Sequence, residues 1–192
     1  MKTLASLAAL SAIALTGCTP STPESSDLFA ELSQLCGNAY QGAIVGDDPR
    51  DADWAGQVLV MHVRECSDDT IRIPLHVGED RSRTWVITRQ GEGLRLKHDH
   101  RHEDGSEDVL TQYGGDTVGP VDGLRAEFPA DEFSRDLFVR EEIPVSVDNV
   151  WSITLTDTTF TYALTRPDRN FQAVFDLTKT VTAPPAPWGF ED

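Results

Sequence analysis

The chain has 192 residues and a formal net charge of −16, from 32 acidic and 16 basic side chains. This charge disfavours binding to nucleic acid and electrostatic attraction to an anionic lipid surface, because both require a basic face. The acidic residues are spread along the chain, as on a solubilising surface. The length suits one domain with a substantial core.

The chain begins with an apolar run over residues 4–15, preceded by Lys2. The run is too short to span a bilayer as a mature helix and is typical of a signal-peptide core. It ends in LTGC at residues 15–18, which resembles the lipobox of bacterial lipoproteins. The resemblance implies cleavage before Cys18, lipidation of Cys18 and, because Thr19 follows, an outer-membrane anchor with the domain facing the periplasm. The alternative is an ordinary signal peptide with a chance cysteine.

Composition divides the remainder into three parts. Residues 18–26 are rich in Pro and Ser and predict a flexible tether, residues 27–181 predict a single domain, and residues 182–192 form a proline-rich tail. Trp188 and Phe190 could pack the tail back on the domain. No apolar 20-residue stretch follows the predicted signal peptide (residues 1–17), so no second membrane span is expected.

Two cysteines remain after Cys18, namely Cys36 and Cys66. In an oxidising envelope their simplest use is one disulfide, which closes a loop of about 31 residues and is worth ~3.7 kcal/mol in the chain-entropy model. The alternative is a catalytic thiol, which favours a basic setting. Cys66 instead lies among acids in RECSDD, so the disulfide is the prediction.

Two short helices are expected. The first covers residues 26–36, with Ser26 as its N-cap and an apolar face formed by Leu28, Leu32, Leu35 and Cys36. The second follows Pro129 and is expected to bury Phe133 and Leu137. The first helix could plug one end of a barrel.

Between and after these helices, apolar and polar residues alternate with the period of two that indicates strands. The predicted strands are residues 39–45, 57–65, 70–77, 83–89, 94–102, 107–113, 122–128, 145–156, 159–166 and 169–177. Short loops and the lack of βαβ alternation predict an all-β fold, an antiparallel up-and-down barrel of about 8–10 strands.

This rhythm of short strands resembles the lipocalin or calycin architecture. The Gly-x-Trp signature of lipocalins is absent, since Trp54 lies in ADWAG. The domain also resembles uncharacterised bacterial envelope proteins that carry a GLRLKHDHRH…DG block. Neither resemblance implies a functional residue.

The stretch from Leu94 to Tyr113 contains three histidines at a spacing of two. A turn at Asp104-Gly105 predicts one hairpin, and a turn at Gly91-Glu92 predicts the preceding one. The first register pairs His102 with Glu107, His100 with Val109, His98 with Thr111, and Leu96 with Tyr113. The second pairs Ile87 with Leu96, Trp85 with His98, Arg83 with His100, and Arg81 with His102.

The histidines share their strand face with Leu94 and Leu96, so this face is expected to line the barrel. The alternate residues, expected to point outward, are Arg95, Lys97, Asp99 and Arg101. An apolar floor with a few convergent donors predicts a pocket for a small amphipathic or anionic ligand, with no cofactor. The predicted ligand-binding residues are Arg81, Arg83, Trp85, His98, His100, His102, Glu107 and Tyr113.

The histidines allow two other interpretations. His98, His100 and His102 could bind zinc or copper, with Glu107 as a further ligand. The spacing is similar to the His-x-His of cupins, but the second cupin motif is missing. Alternatively, the three are solvated residues near a rim. The remaining histidines, His62 and His76, have the opposite parity to their leucine neighbours and are expected outside, without a role.

Signals for catalysis are weak. The chain lacks the Gly-x-Ser-x-Gly elbow, the P-loop and the dinucleotide fingerprint. A triad of Ser82, His100 and Asp80 can be drawn in the expected register, but most surfaces of this composition allow one. Besides ligand binding and catalysis, a third class of function is that of a non-catalytic scaffold lipoprotein of the envelope.

Overall fold

The computed structural model describes residues 27–121 and 123–191. The predicted signal peptide, the lipobox with Cys18 and the predicted cap Ser26 lie outside these residues. The helices are α1 (Leu28–Gln34) and α2 (Glu132–Arg140), with 3₁₀ turns at Pro49–Asp51 and Pro144–Ser146. The strands are β1 (Ala39–Val45), β2 (Leu59–His62), β3 (Glu65–Cys66), β4 (Thr70–Val77), β5 (Asp80–Gln90), β6 (Gly93–His100), β7 (Tyr113–Asp116), β8 (Arg125–Pro129), β9 (Val150–Leu155), β10 (Thr159–Arg166) and β11 (Arg169–Val181). Within residues 27–121 and 123–191, neither helix has the length and apolar character needed to cross a membrane.

All eleven strands belong to one antiparallel sheet with the order β7-β6-β5-β4-β2-β1-β11-β10-β9-β8, and β3 pairs with β4 beside this path. Neighbours in the sheet are neighbours in the chain, except that β2 pairs with β4, past the two-residue β3, and β1 pairs with β11. The sheet is therefore an up-and-down meander that curls into a nearly closed barrel. The predicted all-β barrel is confirmed.

The seam of the barrel lies between β7 and β8, where α2 supplies bonds that a strand ladder would otherwise provide. The Asp131 N–H donates to the Gly114 carbonyl at 2.9 Å. The Ser134 hydroxyl accepts from the Gly114 N–H at 2.7 Å. A side chain on the next residue, Gly115, would overlap the Pro129 carbonyl. Glycine thus allows the two edges to approach closely.

Helix α1 lies against the core at one end of the barrel. Its N-cap is Asp27, one residue later than predicted, and the Asp27 carboxylate accepts from the Phe29 N–H at 2.9 Å. Leu28, Phe29 and Leu32 are fully buried. The Arg89 guanidinium, near the end of β5, lies 4.2 Å from the centre of the Phe29 ring. This end of the barrel is therefore covered by the helix.

The predicted disulfide is confirmed between Cys36 and Cys66, whose Cα atoms are 6.3 Å apart. Cys36 follows α1, and Cys66 lies in β3 beside β4. The bond therefore attaches the chain after the covering helix to the barrel wall.

The two predicted registers had different outcomes. The β5–β6 register is confirmed, with Trp85 opposite His98 and Arg83 opposite His100. The β6–β7 register was wrong by two residues, because Tyr113 pairs with His98 and not with Leu96. A shift of two retains the faces, whereas a shift of one would exchange them.

The predicted strand at residues 107–113 was also wrong, because only Tyr113 of this range lies in a strand, β7. The chain leaves β6 after His100, and the Thr111 hydroxyl accepts from the His100 N–H at 2.9 Å. The Asp108 carboxylate accepts from the Leu110 N–H at 2.8 Å, and Gln112 has a φ of 58°. These local bonds and the left-handed residue hold an irregular loop in place of a hairpin arm.

Two further expectations about the elements need correction. The predicted strand at 145–156 begins only at Val150, because Pro144 starts a 3₁₀ turn that ends at Ser146. In α2, Leu137 is buried as predicted, but Phe133 is 51% exposed. The buried face consists of Ser134, Leu137 and Phe138, at the helical spacing of three and four.

The C-terminal tail packs on the outer face of the barrel, as Trp188 and Phe190 suggested. The Trp188 N–H donates to the Arg81 carbonyl at 3.1 Å, and the Arg101 guanidinium lies 5.4 Å from the centre of the Phe190 ring. His76 points to this outer side but is only 4% exposed. His76 therefore lies on the outer face, as its parity predicted, but is covered there instead of solvated.

Candidate ligand-binding cleft

A cleft of about 470 Å³ opens at the end of the barrel opposite α1, a size within the usual range for small-molecule sites. Arg83 lies at the cleft end of β5. Arg89, six residues further along the strand and about 20 Å away, lies at the end that α1 covers. The cleft is lined by Arg50, Asp51, Trp54, Leu75, Arg83, Trp85, His98, His100, Asp108, Leu110, Tyr113, Phe138, Ile143, Ser146, Asn149, Trp151, Tyr162, Leu164, Arg166, Arg169 and Phe171.

Five of the eight predicted ligand-binding residues line this cleft. They are Arg83, Trp85, His98, His100 and Tyr113. The confirmed β5–β6 register places the first four together, and the shifted β7 still places Tyr113 on the same face.

The other three predicted residues do not line the cleft. Arg81 donates to the Ala186 carbonyl of the tail at 3.3 Å. His102 and Glu107 are exposed in the loop after β6. Both lie beyond the end of β6 at His100, in a loop whose two arms are joined by the Arg101–Glu107 bridge.

Aromatic rings form the floor of the cleft. The Trp85 and Tyr162 rings stack with centres 4.4 Å apart, and Trp151 lies 5.1 Å from His98. Tyr162 and Trp151 were not among the predicted residues. The inward parity of β10, where Phe160 is also buried, was the available signal for Tyr162.

His98 is held in one tautomer by two partners. The Tyr113 carbonyl lies 3.1 Å from Nδ1, so Nδ1 must be the donor. Nε2 is then the acceptor and receives the hydroxyl proton of Tyr162 at 2.8 Å. Burial, and then the neighbouring His100, lower the pKa of His98 to about 3. His98 is therefore neutral at physiological pH and is a rigid part of the floor.

His100 lies closer to the mouth and contacts the Tyr113 hydroxyl, with 3.2 Å between Nε2 and Oη. Burial, and then the positive charge of Arg83, lower the pKa of His100 to about 4. Burial raises the pKa of Tyr113 to about 12. At neutral pH this pair therefore offers hydrogen bonds and no charge.

The arrangement of the histidines does not favour the metal alternative. Both ring nitrogens of His98 are engaged, and His102 is exposed away from the cleft. Within the described part of the chain, no group of three or more His, Cys, Asp or Glu side chains is placed to hold a metal ion.

Four arginines surround the mouth of the cleft, and three of them are paired with carboxylates. Arg83 pairs with Asp80 and also lies 5.2 Å from the centre of the Trp54 ring. The other two pairs are Arg50 with Asp48 and Arg169 with Asp51. The fourth arginine, Arg166, donates to the neutral Asn149 side chain at 2.9 Å.

The possible triad of Ser82, His100 and Asp80 is not formed. The Ser82 hydroxyl lies 3.0 Å from Nη1 of Arg83, and the Asp80 carboxylate pairs with the same guanidinium. In the ranges that the structure covers, neither forms a hydrogen bond with His100. The geometry therefore provides no activated nucleophile at this position.

Fold and cleft together define a nearly closed antiparallel β-barrel with an aromatic cleft at one end. No protein-family model, curated protein or solved structure matches the chain. The likeness to lipocalins in strand rhythm stays a prediction.

Proposed function

We propose that the protein is a cell-envelope lipoprotein, anchored to the outer membrane through Cys18, whose barrel binds a small amphipathic or anionic ligand. The observation that carries the binding proposal is the cleft, which joins an aromatic floor to an arginine-rich mouth. An apolar enclosure with a few oriented polar groups is the usual form of a small-molecule site. The lipobox at residues 15–18 carries the anchoring proposal.

The floor and the mouth favour different parts of one ligand. Trp85, Trp151 and Phe171 are buried walls with no charge to solvate, so they favour an apolar body. The guanidinium groups at the mouth favour an acidic end, because a charge-assisted hydrogen bond is stronger in a partly dry site. A ligand with both parts satisfies the cleft along its length.

Intrinsic fluorescence tests the binding proposal, since Trp54, Trp85 and Trp151 line the cleft. Titration with a panel of aromatic and medium-chain carboxylates is expected to change the emission saturably. Ser146→Trp adds a large side chain to the lining and is expected to abolish the change. Val118→Trp, at a site that is 89% exposed, is the control and is expected to bind normally. A panel that gives no saturable response contradicts the proposal.

Metabolic labelling with a palmitate analogue tests the anchor. The wild-type chain is expected to be labelled, and the Cys18→Ala variant is not. Equal labelling of both chains contradicts lipidation at Cys18.

Elemental analysis separates the ligand proposal from the metal alternative. Protein purified without chelator or affinity histidines is expected to contain no stoichiometric zinc or copper. A near-stoichiometric metal that is lost in the His98→Ala/His100→Ala variant would favour the metal alternative.

A further inference from the structure

The charges at the mouth of the cleft are not equally available to a ligand. Asp80, Asp48 and Asp51 each neutralise a neighbouring arginine. An anionic ligand at Arg83 would have to compete with Asp80, which lies three residues earlier in β5 and pairs with it. Within residues 27–121 and 123–191, Arg166 is the arginine of the lining that has no ion pair.

The position of Arg166 is fixed by the fold. It lies at the end of β10, opposite Arg169 across the β10–β11 hairpin. Its partner Asn149 is 5% exposed and has a fixed backbone, because its N–H donates to the Ser146 carbonyl at 3.1 Å and its carbonyl accepts from the Ala130 N–H at 2.9 Å. Asn149 therefore holds one arm of the guanidinium and leaves the rest of it free.

The free part of Arg166 is a buried donor. Its Nε atom is shielded from solvent and has no hydrogen-bond partner among the described residues. Buried polar groups are nearly always paired, so an unpaired donor at a cleft indicates a missing acceptor. Burial, and then the positive charges of the nearby Arg169 and Arg50, lower the pKa of Arg166. An arriving anion would relieve this repulsion.

The lining also limits the charge that the ligand can carry. Asp108 lines the cleft, and in the described ranges it forms no ion pair. Its carboxylate would repel a second anionic group. His100 and Tyr113 are uncharged at neutral pH and cannot compensate for one.

We infer that the cleft selects a ligand with a single anionic group on a compact apolar body, and that Arg166, positioned by Asn149, binds the anion in place of Arg83. This inference rests on the proposed function. A guanidinium uses Nε and one Nη donor as a two-pronged fork for a carboxylate. Asn149 holds Nη1 of Arg166, and among the described residues neither Nε nor Nη2 has a hydrogen-bond partner, so the anion is expected to bind at Nη2 and to reach the shielded Nε by a small turn of the side chain.

The test compares two probes of nearly equal shape, 2-naphthoate and neutral 2-naphthamide, by isothermal titration calorimetry on the full-length chain. A protein-free blank in the same buffer and detergent corrects for dilution. The wild-type protein is expected to bind the naphthoate at least about 10-fold more tightly than the amide. Arg166→Gln is expected to weaken naphthoate binding about 10- to 100-fold and to leave amide binding unchanged, because only the charge-assisted bond is removed.

Three further variants complete the design. Arg166→Lys is expected to retain part of the preference for naphthoate, since it keeps the charge without the fork. Arg83→Gln tests the rival arginine of the same lining and is expected to weaken naphthoate binding less than Arg166→Gln does. Arg95→Gln, outside the lining and paired with Asp116, is the control and is expected to leave the binding of both probes unchanged. Unchanged amide binding in Arg166→Gln also demonstrates that the variant is folded.

The outcomes separate the inference from the proposed function. If Arg83→Gln loses the preference for naphthoate and Arg166→Gln keeps it, the inference is wrong and the ligand-binding function stands. If Arg166→Gln weakens both probes equally, Arg166 has a structural role and the inference is again wrong. If neither probe binds the wild-type protein, both the inference and this form of the proposed function fail.

Discussion

The Nε2 atom of His98 lies 2.8 Å from the hydroxyl oxygen of Tyr162, across the interior of the barrel between β6 and β10. Both side chains are buried, and His98 also stacks on Tyr113 with ring centres 4.5 Å apart. The bond links walls that are distant in the sequence. It therefore fixes the floor of the cleft as well as the histidine tautomer.

Removal of the Tyr162 hydroxyl is expected to destabilise the fold. Tyr162→Phe keeps the ring but leaves Nε2 of His98 buried without a partner, which costs about 1–3 kcal/mol. Tyr113→Phe is the matched comparison, since its 3.2 Å bond reaches His100 in a half-buried position, and its loss is expected to be smaller. Urea unfolding measures the loss of stability in both variants. An equal loss, or a larger loss in Tyr113→Phe, contradicts the importance assigned to the His98–Tyr162 bond.

Stability is expected to fall as the pH drops from about 6.5 towards about 4. His76, His98 and His100 have folded-state pKa values of about 4, about 3 and about 4, below the ordinary 6.5, with burial as the main cause. In this window the unfolded chain binds protons that the folded chain does not, so each histidine lowers the free energy of unfolding by up to ~1.4 kcal/mol per pH unit.

Urea unfolding at a series of pH values between about 7 and about 5.3 checks this slope, since ordinary Asp and Glu carboxyl groups are about nine-tenths or more ionised there. His76→Leu removes one of the three contributions and is expected to flatten the profile. A stability that is constant from pH 7 to about 5.3 would contradict the lowered pKa values of the three histidines.

Loss of the Cys36–Cys66 disulfide is expected to lower the free energy of unfolding. The bond joins residues that are 30 apart in sequence, and the chain-entropy model gives ~3.7 kcal/mol for such a loop, less any strain. The double Cys36→Ala/Cys66→Ala variant is compared with wild type by urea unfolding under non-reducing conditions. Two free thiols titrated in wild-type protein that is unfolded without reductant would contradict the bond.

Substitution of Gly115 is expected to disturb the seam of the barrel. The Cβ atom of Gly115→Ala would overlap the Pro129 carbonyl, so the two edges must separate, at a cost of about 1–3 kcal/mol. Asp116→Ala, the next residue, removes only a surface ion pair with Arg95 and is expected to cost less than about 1 kcal/mol. Equal thermal stability of the two variants would contradict the close approach at the seam.

Local patterns predicted the secondary structure well where the side chains alternate cleanly. The bounds of β4 and β10 were predicted to the residue, and the Gly91-Glu92 turn set the β5–β6 register. The loop of residues 101–112 was predicted poorly. Its turn at Asp104-Gly105 suggested a hairpin, but Asp108 and Thr111 bond to nearby backbone atoms and compete with the ladder.

The sequence determined the all-β class, the strand rhythm, the disulfide and the inward face of β6, because these depend on periodicity, on turn residues and on the count of cysteines. Only the tertiary structure decided which arginine is free. Arg166 and its partner Asn149 are 17 residues apart, and Arg169 pairs with Asp51 at a separation of 118 residues. The β9–β10 hairpin brings Asn149 to Arg166, whereas the pairing of β1 with β11 brings Asp51 to Arg169. No local pattern encodes the second pairing, because its strands are distant in the sequence.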